Sequence, residues 1–181
     1  MNIDIQPILE NDRILLRPLT PADFEALYQV ASDEKIWEQH PKPDRYKKEV
    51  FSNFFDGAVE SKGSFIIIDK STGEFAGSTR FYDYDKDSNS IKIGYTFYAT
   101  KYWGQGFNPM VKALMMDHIF QFVDTIYLEV GSYNKRSQIA VERLGAEKIR
   151  EETIAYHGEA PRPNFVYAIR KEDYLNGKTK A

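Results

Sequence analysis

The chain has 181 residues, a length that suits one domain with a single sizeable core. Its composition, 42% hydrophobic and 28% charged, is typical of a globular protein and excludes disorder over the whole chain. The formal net charge of −3 gives no overall field that would gather nucleic acid or an anionic membrane surface.

Cysteine is absent, which excludes disulfides, thiolate metal sites and a cysteine nucleophile. Residues 1–7 lack the basic start and the apolar run of a signal peptide. No stretch approaches the ~20 consecutive apolar residues of a membrane span. We therefore expect a cytoplasmic protein.

The first half of the chain predicts one short strand and two helices. Residues 1–12 are expected to form a loose lead-in, and residues 14–18 a strand that ends at a proline. Thr20 and Pro21 then mark a helix start. The apolar residues of this helix recur with helical spacing at Phe24, Leu27, Tyr28 and Ala31. A second amphipathic helix follows the break at residues 40–44 and directs Phe51, Phe54, Phe55 and Ala58 to the core.

After the second helix, apolar residues recur with the period of a strand instead of that of a helix. The pattern predicts three strands joined by polar turns, which together form an antiparallel meander. Their ranges are 64–69, 75–84 and 90–98. In the third strand, Ile91, Ile93, Tyr95 and Phe97 are expected on one face and Lys92, Gly94, Thr96 and Tyr98 on the other.

The last part of the chain predicts a helix at 109–122, a strand at 125–130, a helix that Gly145 ends, and strands at 147–156 and 165–170. The connection between the final two strands, residues 158–163, contains Pro161 and Pro163, which are expected to forbid regular pairing within that connection. No internal repeat and no linker is evident. The sequence therefore predicts a single domain over residues 1–181, with 173–181 as a tail.

A loop with two glycines, Gly104 and Gly106, joins the strand at 90–98 to the next helix. Glycines let backbone amides turn toward a ligand, and a helix start adds unpaired N–H groups at a positive dipole end. Asn108 is the expected helix cap and Pro109 the expected first helical residue. The loop predicts a pyrophosphate site, while a plain tight turn explains the same glycine spacing.

Residues 12–172 resemble the GNAT superfamily of N-acetyltransferases, and more closely its RimJ/RimL-like branch. The loop pattern of the family, Gln/Arg-x-x-Gly-x-Gly/Ala, falls on residues 103–108, where Trp103 and Asn108 depart from it. Tyr-Trp-Gly-x-Gly is a familiar form in that branch. The resemblance implies a mixed α/β fold, with a twisted, mostly antiparallel sheet of about seven strands flanked by four helices.

The resemblance also implies acetyl-CoA as cosubstrate, with its pyrophosphate on the glycine loop. The implied cofactor-binding residues are Thr96, Phe97, Tyr98, Trp103, Gly104, Gln105, Gly106, Phe107, Asn108, Asn134 and Ser137. Where two strands part, their unpaired amides can pair with pantetheine as with another strand. Asn134 and Ser137 also have a purely structural explanation, as a helix cap and a small packing residue.

Acetyl transfer to an amine needs a neutral amine, a donor to the oxyanion and a proton for the departing thiolate. The backbone amide of Thr96 is the candidate oxyanion donor. The tyrosine acid of the family would fall on Val141, so Ser137 becomes the candidate donor to the thiolate. The glutamate base of related enzymes falls on Lys92, which puts such a base in doubt. No base is assigned among Asp83, Glu129 and Tyr95.

The three histidines, His40, His118 and His157, share no metal-ligand spacing, so no metal site is predicted. His118 falls on an apolar helical face and is expected to pack there. Trp37 and His40 lie between the first two helices, the region that closes over the acceptor in the family. We expect these two residues either to shape the acceptor pocket or to belong to a plain loop.

Together these observations predict an N-acetyltransferase that transfers acetyl from acetyl-CoA to a primary amine by direct attack in a ternary complex. The amine is that of a protein N-terminus or of a small molecule. Neither nucleic acid nor a membrane is an expected partner, and the resemblance leaves a homodimer open. The departures at Val141 and Lys92 motivate an alternative, a non-catalytic acyl-CoA-binding regulatory module. A structural protein with an ordinary turn at the glycines is a third interpretation.

Overall fold

The computed structural model describes residues 3–156 and 159–178, so His157 lies outside the described residues. The strands are β1 Leu9–Glu10, β2 Ile14–Pro18, β3 Ser64–Asp69, β4 Phe75–Asp85, β5 Ser90–Tyr98, β6 Thr125–Gly131, β7 Glu147–Ile154 and β8 Arg162–Arg170. The helices are α1 Phe24–Ala31, α2 Lys48–Glu60, α3 Phe107–Ile119, α4 Lys135–Glu142 and α5 Lys171–Lys178.

The strands form one sheet in the order β1-β2-β3-β4-β5-β6-β8-β7. Strands β2 to β5 pair antiparallel in sequence, which confirms the predicted meander. The β5–β6 pair is parallel, and α3 makes the crossover between them, as a parallel connection requires. These features confirm the mixed α/β class.

The element count differs from the prediction, with eight strands instead of seven and five helices instead of four in the described residues. Part of the predicted lead-in forms β1, which pairs with Leu15 and Leu16. Residues of the predicted tail lie in α5. Pro163 lies inside β8, opposite Thr153 of β7. It is tolerated because it lies beyond the last β6–β8 pair, so its missing N–H interrupts no ladder on that side.

The start of α3 is also corrected. Gly106, with a left-handed φ of 76°, is the cap, and the helix begins at Phe107. Pro109 is the third helical residue, where the missing N–H has no intrahelical acceptor to lose. Asn108 does not cap the helix, and its Oδ1 accepts a hydrogen bond from the Tyr98 hydroxyl at 3.1 Å. The helix ends at Ile119.

The sheet separates two apolar clusters. The larger contains side chains of α3 and of the sheet face that it covers, including Ile91 and Ile93. The smaller lies under α1 and α2 and contains Trp37, Phe51 and Phe97. Ile93 and Phe97 were predicted to share a face, so the prediction for the end of β5 is wrong.

The reason is a β-bulge in β5. Two steps along β4, from Ser78 to Arg80, face three steps along β5, from Phe97 back to Gly94. Tyr95 takes up the extra residue with a φ of 53°, in the left-handed region. One inserted residue reverses the alternation of side chains beyond it, so Phe97 turns to the helices α1 and α2 and Thr96 turns to α3.

Candidate active site

The candidate site is a cleft where β5 and β6 part. Their pairing ends at Lys92 and Tyr127, so the rest of β5 has no partner strand on that side. The cleft has a volume of about 890 Å³. The predicted cofactor-binding residues that line it are Thr96, Phe97, Tyr98, Trp103, Gly104, Gly106, Phe107, Asn108, Asn134 and Ser137. The structure therefore brings ten predicted residues into one space.

The glycine loop forms one end of this cleft. Gly104 and Gly106 have φ values of 71° and 76°, which L side chains rarely adopt. Their amides have no hydrogen-bond acceptor within the described part of the chain, and the first-turn amides of Phe107 and Asn108 are left open by helix geometry. Several unpaired donors thus converge at a helix start, an arrangement that suits a phosphate group.

Gln105 is the exception among the predicted loop residues. Its amide donates to the Tyr102 carbonyl at 3.3 Å, and its side-chain Nε2 donates to the Lys101 carbonyl at 2.5 Å. Its Oε1 accepts a hydrogen bond from Arg13 at 3.3 Å. Gln105 therefore fixes the shape of the loop and lies outside the cleft lining.

The opposite wall of the cleft is the start of α4. Asn134 is buried and caps this helix, because its Oδ1 accepts a hydrogen bond from the Ser137 amide at 3.1 Å. The Ser137 side chain lines the cleft one turn into the helix, and Val141 follows it on the same wall. The structural explanation of Asn134 is thus confirmed, while the Ser137 hydroxyl remains available to a ligand.

A cation–π contact closes the mouth of the cleft. The Arg136 guanidinium of α4 lies 4.1 Å from the centre of the Trp103 ring, and it donates to the Ile36 carbonyl at 3.1 Å. Lys135 and Arg143 line the same wall. Arg136 therefore places a positive charge against Trp103, at the start of the loop that holds the unpaired amides.

Lys112 is a buried polar residue of the site that the sequence did not predict. It lies on α3, is only 4% exposed and lines the cleft. Its Nζ donates to the Thr96 hydroxyl at 2.7 Å and to the Thr79 hydroxyl at 3.0 Å. Burial lowers the pKa of Lys112 to about 7. A lysine in the middle of an apolar helix face was the only available signal.

Glu129 organises the other end of the cleft. Its side chain is almost fully buried and pairs with Lys92 at 2.6 Å. The hydroxyls of Tyr82 and Tyr156 both donate to Glu129 Oε2 at 3.2 Å. Lys92, found where the family often has a glutamate, is thus the partner of a carboxylate from the next strand. Asp83 also pairs with Lys92, at 3.0 Å, and its side chain is exposed.

Two buried arginines lie near this end. Arg80 stacks 4.0 Å from the centre of the Tyr95 ring, and no carboxylate of the described residues pairs with it. Burial lowers the pKa of Arg80 to about 10, so it stays protonated at neutral pH. Arg45 forms an ion pair with Glu159 and lies over the Phe54 ring.

His40 lines the cleft, whereas Trp37 belongs to the smaller apolar cluster beside it. A role of the two residues in an acceptor pocket stays a prediction. Trp37 is fully buried between the helices and the sheet, and His40 contacts its ring and lines the cleft. Desolvation, together with the neighbouring charges of Arg45 and Arg136, lowers the pKa of His40 to about 3. His40 is therefore a neutral wall residue at physiological pH.

The comparison with known families decides the assignment. The model for the acetyltransferase (GNAT) domain matches residues 13–147, about three quarters of the chain. The chain belongs to the GNAT acetyltransferase family. Enzymes of this family use acetyl-CoA, and the match includes the parted strands, the glycine loop and α4.

Solved structures show the same fold. A GCN5-related N-acetyltransferase from Brucella melitensis superposes with a TM-score of 0.82 at 20% identity, covering 96% of this chain and 83% of the other. A GNAT-family acetyltransferase from Bacillus anthracis gives a TM-score of 0.74 at 21% identity, with 92% and 99% covered. Spermidine N-acetyltransferase from Vibrio cholerae, solved with CoA and spermine, gives 0.69 at 16% identity, with 92% and 100% covered.

Within residues 3–156 and 159–178, no three potential metal-ligating side chains cluster, and no helix is both long and apolar enough to cross a bilayer. His118 lies half-buried beside the Phe122 ring, and one of its ring nitrogens is 2.8 Å from the Asp4 carbonyl oxygen. It packs as predicted.

The lowered pKa of Lys112 makes stability depend on pH. Its pKa is about 7 in the folded protein and returns to 10.5 on unfolding, so between these values the unfolded state binds more protons. The free energy of unfolding should therefore rise with pH by up to ~1.4 kcal/mol per pH unit in this window, and show no such slope below about pH 7. Urea unfolding of the wild type and of Lys112→Met across pH 6–10 measures this dependence of the unfolding free energy on pH. We expect the substitution to remove the slope. Equal slopes in the two proteins would contradict a lowered pKa of Lys112.

Proposed function

We propose that the protein is an acetyl-CoA-dependent N-acetyltransferase that acetylates a primary amine by direct attack in a ternary complex. The observation that carries the proposal is that unpaired main-chain amides of the parted β5 edge and of the glycine loop line one cleft. Such donors suit the amides and the diphosphate of coenzyme A. Family membership supports the same chemistry.

The residues present fit coenzyme A. The amides of Gly104, Gly106, Phe107 and Asn108 would hold the pyrophosphate, with Arg136 and its basic neighbours as counter-charges. The free edge of β5 from Thr96 to Tyr98 would pair with pantetheine, as an added strand does. Gln105 would shape the loop, and Trp103 would lie at its mouth. The bound molecule supplies the thioester that activates the acetyl group.

Few groups in the cleft can donate a hydrogen bond or a proton during acetyl transfer. The Thr96 amide lies just after the bulge and would donate to the oxyanion. The Ser137 hydroxyl would donate to the sulfur, because Val141 has no proton to give. Glu129 is committed to Lys92 and two tyrosines, so we assign the amine proton to water and much of the rate to proximity.

The charges near the acceptor end favour one class of amine. The Vibrio cholerae protein was solved with spermine, a polycation. Here Glu129 and Glu159, the carboxylates of the described residues that line this end, are both in ion pairs. Arg80 adds a positive charge nearby that no carboxylate of the described chain neutralises. We therefore propose an acceptor with a single primary amine and no further positive charge. A protein N-terminal amine, as in the RimJ/RimL-like branch, and a small monoamine both meet this description.

A binding and turnover experiment tests the function. Acetyl-CoA is titrated calorimetrically, and free thiol release is then followed with a panel of peptides bearing free N-termini, small monoamines and spermidine. We expect saturable binding, turnover with a monoamine or peptide, and a lower kcat/KM for spermidine. Binding without turnover on any amine would favour the regulatory module, and spermidine as the best acceptor would contradict the proposed class.

Gly106→Val should weaken acetyl-CoA binding, because a β-branched residue disfavours the left-handed φ that aims the loop amides. We expect the Kd to rise on the order of 10-fold or more, equivalent to roughly 1.4 kcal/mol. Gly73→Val is the matched control, since Gly73 has a φ of 75° and nothing within 4 Å of an added Cβ, as at Gly106, but lies in the β3–β4 turn. Equal effects of the two substitutions on the Kd would contradict a phosphate role for the loop.

Ser137→Ala should lower kcat on the order of 100-fold with little change in the Kd of acetyl-CoA, since only the thiolate donor is lost. Steady-state kinetics and calorimetry measure the two effects separately. Ser132→Ala is the control, because Ser132 precedes the same helix but does not line the cleft. Unchanged turnover in Ser137→Ala would remove the role of this hydroxyl.

A further inference from the structure

Lys112 occupies a position that the reaction as proposed so far does not explain. Its side chain extends from α3 to the bulge of β5. There its Nζ donates hydrogen bonds to the Thr96 hydroxyl at 2.7 Å and to the Thr79 hydroxyl of β4 at 3.0 Å. These two hydroxyls are themselves 2.9 Å apart. The three groups form a closed triangle that includes Thr96, the residue whose backbone amide is the candidate oxyanion donor.

This triangle is compatible with both protonation states of the amine. An ammonium has three N–H donors, and the two hydroxyls accept two of them. The third has no acceptor among the described residues, and Lys112 lines the cleft. A neutral amine can instead accept a hydrogen bond from either hydroxyl. The site can therefore hold or release a proton without leaving a hydroxyl unpaired.

Among the described residues, no anion compensates the charge of Lys112. Tyr98 of β5 is a neutral phenol, since burial raises its pKa, and Glu129 of β6 is already paired with Lys92. Arg136 of α4 stacks on Trp103. Thr79 of β4 has no charge. Desolvation is thus the cause of the lowered pKa of Lys112, with no carboxylate of the described residues opposing it.

A buried cation without a partner is costly, so an anion that arises next to it gains a large stabilisation. A thioester is uncharged, whereas the sulfur of coenzyme A becomes anionic once the acetyl group has left. The free β5 edge beside Thr96 is where the proposed function places pantetheine. The anion that fits the position of Lys112 is therefore a thiolate.

We propose that Lys112 is a positioning residue of the acetyl-transfer centre, which fixes the Thr96 bulge through its hydroxyl and whose ammonium stabilises the thiolate of bound coenzyme A. This inference rests on the proposed function. In the transfer the C–N bond forms, the C–S bond breaks with its electron pair on sulfur, and the amine proton passes to water, so that the thiolate is left beside the Lys112 ammonium. A lysine that only supported the fold would not change the ionisation of the ligand.

The test measures that ionisation directly. Coenzyme A labelled with 13C next to sulfur is bound to the full-length protein, and its NMR shift is followed against pH. We expect the midpoint in the complex to lie about one pH unit or more below that of free coenzyme A. In Lys112→Met the midpoint should return to the value of the free thiol, whereas Lys112→Arg, which keeps the charge, should retain a lowered midpoint.

Lys70→Met is the control for loss of a lysine far from the cleft, because Lys70 is exposed and paired with Glu10. Equal midpoints in the wild type and in Lys112→Met overturn the inference, even if both proteins bind coenzyme A and turn over an amine. Failure of the wild type to bind coenzyme A overturns both this inference and the proposed function. A lowered midpoint that depends on Lys112, without turnover of any amine, supports the inference and rejects the amine transfer.

Discussion

One extra residue in β5, taken up at Tyr95 with a left-handed φ, decides which side chains face each layer of the protein. Before the bulge, Ile91 and Ile93 pack toward α3. After it, Phe97 packs on the buried Trp37 of the opposite layer. The same reversal delivers Thr96 to Lys112. The core on one side and the hydrogen-bonded triangle on the other thus depend on a single backbone irregularity.

The cleft is organised by charge along its length. Unpaired amides and basic side chains gather at the glycine loop, and carboxylates neutralised by Lys92 and Arg45 lie at the other end. Lys112 lies between them as a buried amine without an anionic partner in the described part of the chain. In an environment of low dielectric such an arrangement discriminates strongly between neutral and charged ligand groups. It favours a ligand that is anionic at the loop end.

Membership of the GNAT family fixes the scaffold but leaves the proton chemistry to individual positions. At two of them this chain differs from the commoner pattern, with Val141 and Lys92. Val141 leaves Ser137 as the hydroxyl donor on that wall of the cleft, and Lys92 locks Glu129 in an ion pair. The proposed role of Ser137 follows from the tyrosine that Val141 replaces, whereas that of Lys112 rests on its burial and on its hydrogen bonds to Thr79 and Thr96.

The sequence by itself predicted the meander, the helices α1 to α4 and the glycine loop, because strand and helix periods and glycine punctuation are local signals. The resemblance to the GNAT superfamily implied the ten cofactor-binding residues that share the cleft. It also raised Ser137 as a donor and identified the positions of Val141 and Lys92. The bulge at Tyr95, the burial of Lys112 and the ion pair of Glu129 were decided only by the tertiary structure. Each depends on register or on contacts between residues far apart in the chain, such as Lys112 and Thr79, and a period of two or of 3.6 residues carries no information about them.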